Sequence, residues 1–178
     1  RVTVQDRVIR WGALHALAPH CGGAPLNLPC VDAFSNGGLM VRAAVDAAGH
    51  LYVLGDYSVR GTPLDWARQV AWAVDKHGAD RVVGETNNGG DLVEVNLRTV
   101  SKNLPFKKVS ASRGKYIRAE PVAALYEKGE VHHVGAFPEL EDQMCEWVPG
   151  DESPDRMDAL VWAITELASG PGHVTIPP

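Results

Sequence analysis

The stretch RVVGETNNGG, residues 81–90, places a carboxylate where an apolar run stops. Val82 and Val83 read as strand, Glu85 stands at its end, and Asn-Asn-Gly-Gly turns the chain at once. An acid there either marks a strand reaching solvent or is held rigidly at a sheet rim, where it can bind a metal ion. A second acidic feature lies in SPDRMDALVWAITEL, residues 153–167. Ser153 reads as a helix N-cap and Pro154 as the first helical residue, with Met157, Leu160, Val161, Ile164 and Leu167 as the apolar stripe. Asp155 and Asp158 lie three residues apart on one side of the first turn. The helix dipole accounts for Asp155; it accounts less well for Asp158, which is deeper in the helix beside Ala159 and Leu160. A strand-end carboxylate facing a packed helix makes an oxygen-only site, which selects Mg²⁺ or Mn²⁺ over zinc. Two such ions can activate water and stabilise the leaving oxygen of a phosphodiester. A third carboxylate is then needed, and the first strand is the natural place for it.

The basic counterpart is SKNLPFKKVSASRGKYIR, residues 101–118, which carries Lys102, Lys107, Lys108, Arg113, Lys115 and Arg118 and no acid. Such a run is either a solvated loop or a contact surface for a phosphate backbone, where cations release counterions. Gly114 would let the chain approach a phosphate closely.

The elements that must position these groups are legible from about Gly38 onward. Leu39–Val45 and Leu51–Tyr57 read as strands joined by the turn Ala47-Ala48-Gly49-His50, a hairpin. Pro63 opens a helix whose Trp66, Val70 and Val74 recur every four residues and which Gly78 ends. The strand Arg81–Glu85 precedes a helix over 91–100, a strand over 106–109, a helix over 117–128 and a strand over 130–134. Helices over 138–147 and 153–168 follow. A hairpin followed by strands alternating with helices predicts an α/β fold, a mixed sheet with helices on its faces. The first 37 residues are irregular: RVTVQ alternates like a strand and ends at Asp6, whereas Asp32 closes the apolar stretch LPCVD.

Composition bounds the function. A chain of 178 residues with 45% hydrophobic and 22% charged residues suits one soluble domain with a core of its own, and a net charge of -5 argues against a general nucleic-acid coat. Cys21, Cys30 and Cys145 are scattered, so neither a disulfide framework nor a zinc knuckle is expected. No run of about 18 apolar residues predicts a membrane span. The opening Arg1 suggests a piece of a longer protein. Without a GxxxxGK[ST] loop, ATP hydrolysis by this chain is not expected. His132 and His133 alternate across a strand, so packing or partner contacts suit them better than one shared metal. Trp66, Trp72 and Trp162 are expected in the core. Asp91 and Asn87 suit a helix cap, with a role in orienting metal-bound water as the alternative.

In succession, GHLYVLGDYSVRGTPLDWARQV, ADRVVGETNNGGDLVEVNLRTV, SASRGKYIRAEPVAALYEKGEVHHVGAFPELEDQMCEWVPG and SPDRMDALVWAITEL resemble the C-terminal nuclease domain of phage terminase large subunits, prophage and gene-transfer-agent forms included. The resemblance covers about residues 38–168. It implies a single nuclease domain over 1–178, with an atypical part over 1–37, a family-like core over 38–168 and a tail over 169–178. It also implies a ribonuclease H-like mixed β-sheet flanked by helices on both faces, and an acidic cluster holding two Mg²⁺ or Mn²⁺ ions. The implied activity is an endonuclease that cuts concatemeric viral double-stranded DNA during packaging, in the cytoplasm of a bacterial host. Its implied partners are an ATPase motor domain, a portal and a small terminase subunit, with no membrane. Glu85 matches the family's acid at the end of the fourth strand, and Asp155 and Asp158 both match its final acidic motif. The VDP-like motif of the first strand is absent. Asp32 in CVDAFSNGG takes its place, and Asp6 is the alternative, with 7–34 as an insertion or an altered segment. The catalytic and metal-binding set is therefore Asp32, Glu85, Asp155 and Asp158, and Lys107, Lys108, Arg113, Lys115 and Arg118 would hold the duplex backbone. Two other readings stay open: another ribonuclease H-like nuclease of the junction-resolvase type, and a non-catalytic packaging or docking module with a degraded first motif.

Overall fold

The computed structural model describes residues 28–35, 38–86, 91–112, 114–148 and 154–169. Asp6 and the RVTVQ stretch, Cys21, Asn87, Gly89, Gly90, Arg113 and Ser153 lie outside the described residues. Within them, one sheet contains β1 (Cys30–Ser35), β2 (Leu39–Val45), β3 (Leu51–Asp56), β4 (Arg81–Glu85), β5 (Phe106–Val109) and β6 (Val131–His133). Their spatial order is β5-β4-β1-β2-β3-β6. Strand β2 runs antiparallel to β1 and β3, whereas the pairs β1–β4, β4–β5 and β3–β6 are parallel. The helices are α1 (Pro63–His77), α2 (Asp91–Val100), α3 (Lys115–Lys128), α4 (Pro138–Glu146) and α5 (Asp155–Ala168). No described helix is long and apolar enough to cross a membrane.

Local chemistry explains the best-defined boundaries. In the β2–β3 hairpin, Asp46 Oδ1 accepts from the amides of Ala48 and His50, both at 2.9 Å, and Gly49 takes the left-handed conformation that closes the turn. Helix α1 opens with a capping box between Thr62 and Asp65 and with Pro63 in its first turn, and it ends at left-handed Gly78. The last helix departs from its expected start. Pro154 occupies the cap position in extended backbone, φ -66° and ψ 137°, and the helix begins at Asp155.

Two apolar layers cover the sheet. Val31, Ala33, Val41, Ala43 and Val83 pack under α3, α4 and α5, with Leu160 and Ile164 fully buried. Phe34, Met40 and Val82 pack with Trp66, Val70 and Leu97 of α1 and α2. Successive side chains of a strand alternate between faces. In β1, therefore, Val31, Ala33 and Ser35 share the α5 face, and Asp32 and Phe34 the α1 face. This strand is buried on both sides and shows no apolar–polar period, which hides from the sequence that it runs on past Asp32 to Ser35. Trp66 is a core residue, but Trp72 is 44% exposed and meets Tyr57 edge-on, so the expected burial of Trp72 is corrected. His132 and His133 have separate partners, as their alternation predicts: His132 stacks on Tyr52 and meets His50, while His133 meets Tyr126 and Glu141.

Gly84, which delivers Glu85, is required by a close approach. Opposite it in the β1–β4 register stands Phe34, whose ring stacks with that of Phe106. A Cβ on Gly84 would lie 2.5 Å from Phe34 Cζ and 2.8 Å from Phe106 Cε2. Gly84→Ala is expected to cost about 1–3 kcal/mol of stability through overpacking. Urea denaturation checks this, and a loss below about 0.5 kcal/mol, the range of ordinary surface changes, would contradict it.

Candidate metal centre

Helix α5 crosses β1 and β2 and also meets β4, which sets its first turns over the end of the strand that carries Glu85. Asp158, 3% exposed, comes within hydrogen-bonding reach of the Glu85 carboxyl. Glu85 Oε2 accepts the indole Nε1–H of Trp162 at 3.0 Å. Trp162 lies four residues after Asp158, hence on the same side of the helix. From α3, Arg118 reaches both acids: Nη2 is 3.1 Å from Asp158 Oδ1, and Nη1 is 3.6 Å from Glu85 Oε2. Its guanidinium carbon lies 4.6 Å from the centre of the Trp162 ring. Burial raises the Asp158 carboxyl to about 6, with the neighbouring Glu85 acting in the same direction and Arg118 and Lys115 opposing. Two carboxyls forced together in a poorly solvated pocket attract a cation.

The remaining expected residues are placed unevenly. Asp155 lies at the pocket's edge, 3.7 Å from Lys115 Nζ. Its carbonyl accepts from Ser35 Oγ at 2.6 Å. Asp32 is not brought to this pocket, which corrects the expectation of a first-strand ligand there. It pairs in register with Arg42 and Val82, on the α1 face, with its carboxylate oxygens 3.4 and 3.5 Å from Arg42 Nη1. Since Phe34 stands opposite Gly84, Ser35 is level with Glu85, and Asp32 lies three residues, or about 10 Å, back along the strand. Burial raises the Asp32 carboxyl to about 6 against the pull of Arg42. Arg42 in turn donates to the carbonyl of His77 at the end of α1 at 2.8 Å, so this buried pair fastens α1 to the sheet.

The basic run does not form one surface. Lys107 pairs with Glu166 of α5, and Lys108 pairs with Asp91 and Glu94 of α2 on the opposite face. Asp91 is thus a partner of Lys108 at the start of α2, away from Glu85's carboxyl neighbours. Lys115 and Arg118 turn toward the acids, at 4.0 Å and 3.1 Å from Asp158 respectively. Arg118 is only 11% exposed, so its immediate partners are carboxylates instead of an open phosphate surface. Sequence reasoning missed Trp162 as a site residue. The signal available was its spacing of one helical turn from Asp158. Ser35 was missed because nothing in CVDAFS marks where β1 ends.

A pair of carboxylates suits one hard divalent ion, because Mg²⁺ is commonly held by one or two carboxylates with water and phosphate completing its shell. Arg118 already stands in for such a charge, and its Nε and Nη1 find no hydrogen-bond partner among the described residues. Glu85 and Asp158 therefore fit an ion. Among the described residues, no three His, Cys, Asp or Glu side chains gather as a ligand group, so this set alone does not fill a two-ion centre.

A mixed sheet covered on both faces, with an acid at a strand end met by another on the last helix, defines a ribonuclease H-like protein. Residues 36–167 match the family described as the terminase RNaseH-like domain, and the chain belongs to that family. Its fold is similar to that of the large terminase nuclease of a thermophilic phage. The cobalt-bound crystal structure of that nuclease gives a TM-score of 0.63 at 15% identity, covering 79% of this chain and 82% of that one. The magnesium-bound form gives 0.60 at 15% identity over the same shares. A yeast mitochondrial Holliday junction resolvase gives 0.54 at 12% identity, covering 86% of this chain and 84% of that one. No curated protein matches the chain.

The raised Asp158 carboxyl makes a signed prediction. Its folded-state value of about 6 lies above the ordinary 3.8, so its contribution to stability is complete below the unfolded value and is lost as pH rises through about 6. In metal-free buffer, Asp158→Asn is expected to gain stability relative to the wild type between about pH 4 and pH 7, by an amount on the order of 2 kcal/mol. Urea denaturation across that range measures it. A difference that stays flat or falls with pH would contradict the placement of Asp158.

Proposed function

We propose that this domain is a divalent-metal-dependent DNA endonuclease that cuts concatemeric viral double-stranded DNA during genome packaging, in the cytoplasm of a bacterial host and encoded by a phage or prophage. The observation that carries the reading is the meeting of Glu85 and Asp158, from a strand end and a helix far apart in sequence, in a pocket whose charge asks for a cation. Family membership supports a nuclease, and the ribonuclease H-like fold is shared with a junction resolvase. Glu85 and Asp158 would hold Mg²⁺ or Mn²⁺, which would activate water and stabilise the charge that develops on the phosphodiester. A second ion calls for one more acid; Asp155 at the edge and Asp6 in the sequence are the candidates.

The chain's own residues do the rest. Trp162 fixes Glu85 through its indole N–H and presents its ring to the Arg118 guanidinium. Lys115, at the pocket's edge, and Lys107, on the α5 side, are proposed to meet backbone phosphates, with Arg113 as the sequence candidate between them. Lys108, on the other face, is left out of that surface. The side chains of Lys107 and Lys115 are 49% and 32% exposed, which lets each turn from its carboxylate partner to a phosphate. In the full packaging machine, the expected partners are an ATPase motor domain, a portal and a small terminase subunit.

One observation favours a second reading, a docking module without catalysis: the described residues bring together two carboxylates and no third. Plasmid nicking in Mn²⁺ separates the two. The wild type is expected to nick and EDTA to stop it, while Glu85→Ala and Asp158→Asn lose at least about a hundredfold because the ion's several kcal/mol of stabilisation is gone. Asp32→Asn is expected to keep the wild-type rate per folded molecule. Full activity in Glu85→Ala would sink the proposed site, and an inert wild type would select the docking module.

A further inference from the structure

Two arginines, Arg42 buried and Arg118 partly buried, are held in contrasting ways. Arg42 is satisfied: Nη1 faces both Asp32 oxygens, while Nη2 donates to the His77 carbonyl at 2.8 Å and meets Cys30 Sγ at 3.1 Å. It is a structural tie. Arg118 is less deeply placed, 11% exposed against 2% for Arg42, and poorly satisfied. Its close contact is Nη2 to Asp158 Oδ1 at 3.1 Å, Nη1 stands 3.6 Å from Glu85 Oε2, too far for a hydrogen bond, and among the described residues both Nε and Nη1 lack a hydrogen-bond partner. A guanidinium carries five donors in a rigid fork and ordinarily meets carboxylates in pairs of bonds. Here it is held by the charge of the two acids and by the face of Trp162, 4.6 Å away. These are the two carboxylates that would hold a metal ion, and the guanidinium offsets part of their charge, with Lys115 Nζ a further 4.0 Å from Asp158 Oδ2.

We infer that Arg118 is the resident counter-cation of the Glu85–Asp158 pair and that a divalent ion displaces it, so that guanidinium and metal exclude each other. The inference rests on the nuclease reading only for the identity of the ion. Burying both cations between the same two acids would leave excess positive charge in a poorly solvated pocket, so one must leave. The exit is short. Arg118 is on the first turns of α3, and Lys115, one turn earlier, already reaches Asp155 at the pocket's edge. Arg118 thereby sets how much metal the site requires before it is loaded.

The test is calorimetric titration of the protein with Mn²⁺ alone, without DNA, for the wild type, Arg118→Gln, Arg118→Lys and, as a control, Arg81→Gln, which removes an exposed partner of Glu166. Arg118→Gln is expected to bind Mn²⁺ about tenfold or more tightly, the size of one charged hydrogen bond no longer competing. Arg118→Lys, which keeps the charge, and Arg81→Gln are expected to stay within about threefold of the wild type. Thermal melts guard against a folding defect. Arg118→Gln should melt below the wild type in EDTA, and that gap should close in saturating Mn²⁺. Unchanged or weaker Mn²⁺ binding by Arg118→Gln overturns the inference. So does equal binding by the Gln and Lys variants, or a Gln variant that stays unfolded in Mn²⁺, because each gives Arg118 a purely structural role. A wild type that binds Mn²⁺ without cutting DNA sinks the nuclease reading and leaves this test intact. A wild type that cuts, with affinity unmoved in Arg118→Gln, sinks this inference alone.

Discussion

The site depends on one juxtaposition, a helix carboxylate pressed against a strand-end carboxylate in a pocket closed to most water. Helix α5 buries Leu160, Val161 and Ile164 against the sheet, and that packing fixes where Asp158 must go. Burial of such side chains stabilises by about 1.5–3 kcal/mol each, enough together to hold an unfavourable pair of acids in place. Core packing thus supports a concentration of negative charge that the carboxylates would not adopt by themselves. Trp162 and Arg118 are then placed by the charge, one donating a hydrogen bond to Glu85 and the other contacting both acids.

Charge compensation also explains why the two faces of β1 differ. On one face, Asp32 and Arg42 form a buried cross-strand pair whose spare donors are taken up by the end of α1. Removing one partner of such a pair strands the other charge, whereas the complete pair is a quiet structural element. On the other face, the acids outnumber well-bonded cations, and the pocket retains an affinity for positive charge. The same residue types serve as a fastening in one place and as a candidate ligand set in the other, distinguished by how fully their hydrogen bonds are met.

Much of this was legible in the residues. The hairpin turn at Asp46–His50, the limits of α1 and strand β4 follow from turn chemistry, capping and period. Glu85 stood out because an acid ended an apolar run, and Asp158 because it sat beside the stripe and too deep for a dipole role alone. Asp32 was misread for a physical reason. In a strand covered on both faces, apolar residues occupy both parities, so the sequence does not say which face an acid takes or where the strand stops. A shift of one residue would have sent it to the other face. Arg118 was grouped with its basic neighbours by composition, although its helical position, one turn after Lys115, turns it inward to the acids. Lys107 and Lys108 show the same limit: adjacent in sequence, they point to opposite faces of β5.

Anomalous diffraction from crystals soaked in Mn²⁺ locates the cation without reference to activity. A peak bonded to carboxylate oxygens of both Glu85 and Asp158, with Arg118 moved away from them, is the predicted result. A map with no peak between these two acids, or with manganese held by Asp32 instead, would contradict the placement of the metal centre.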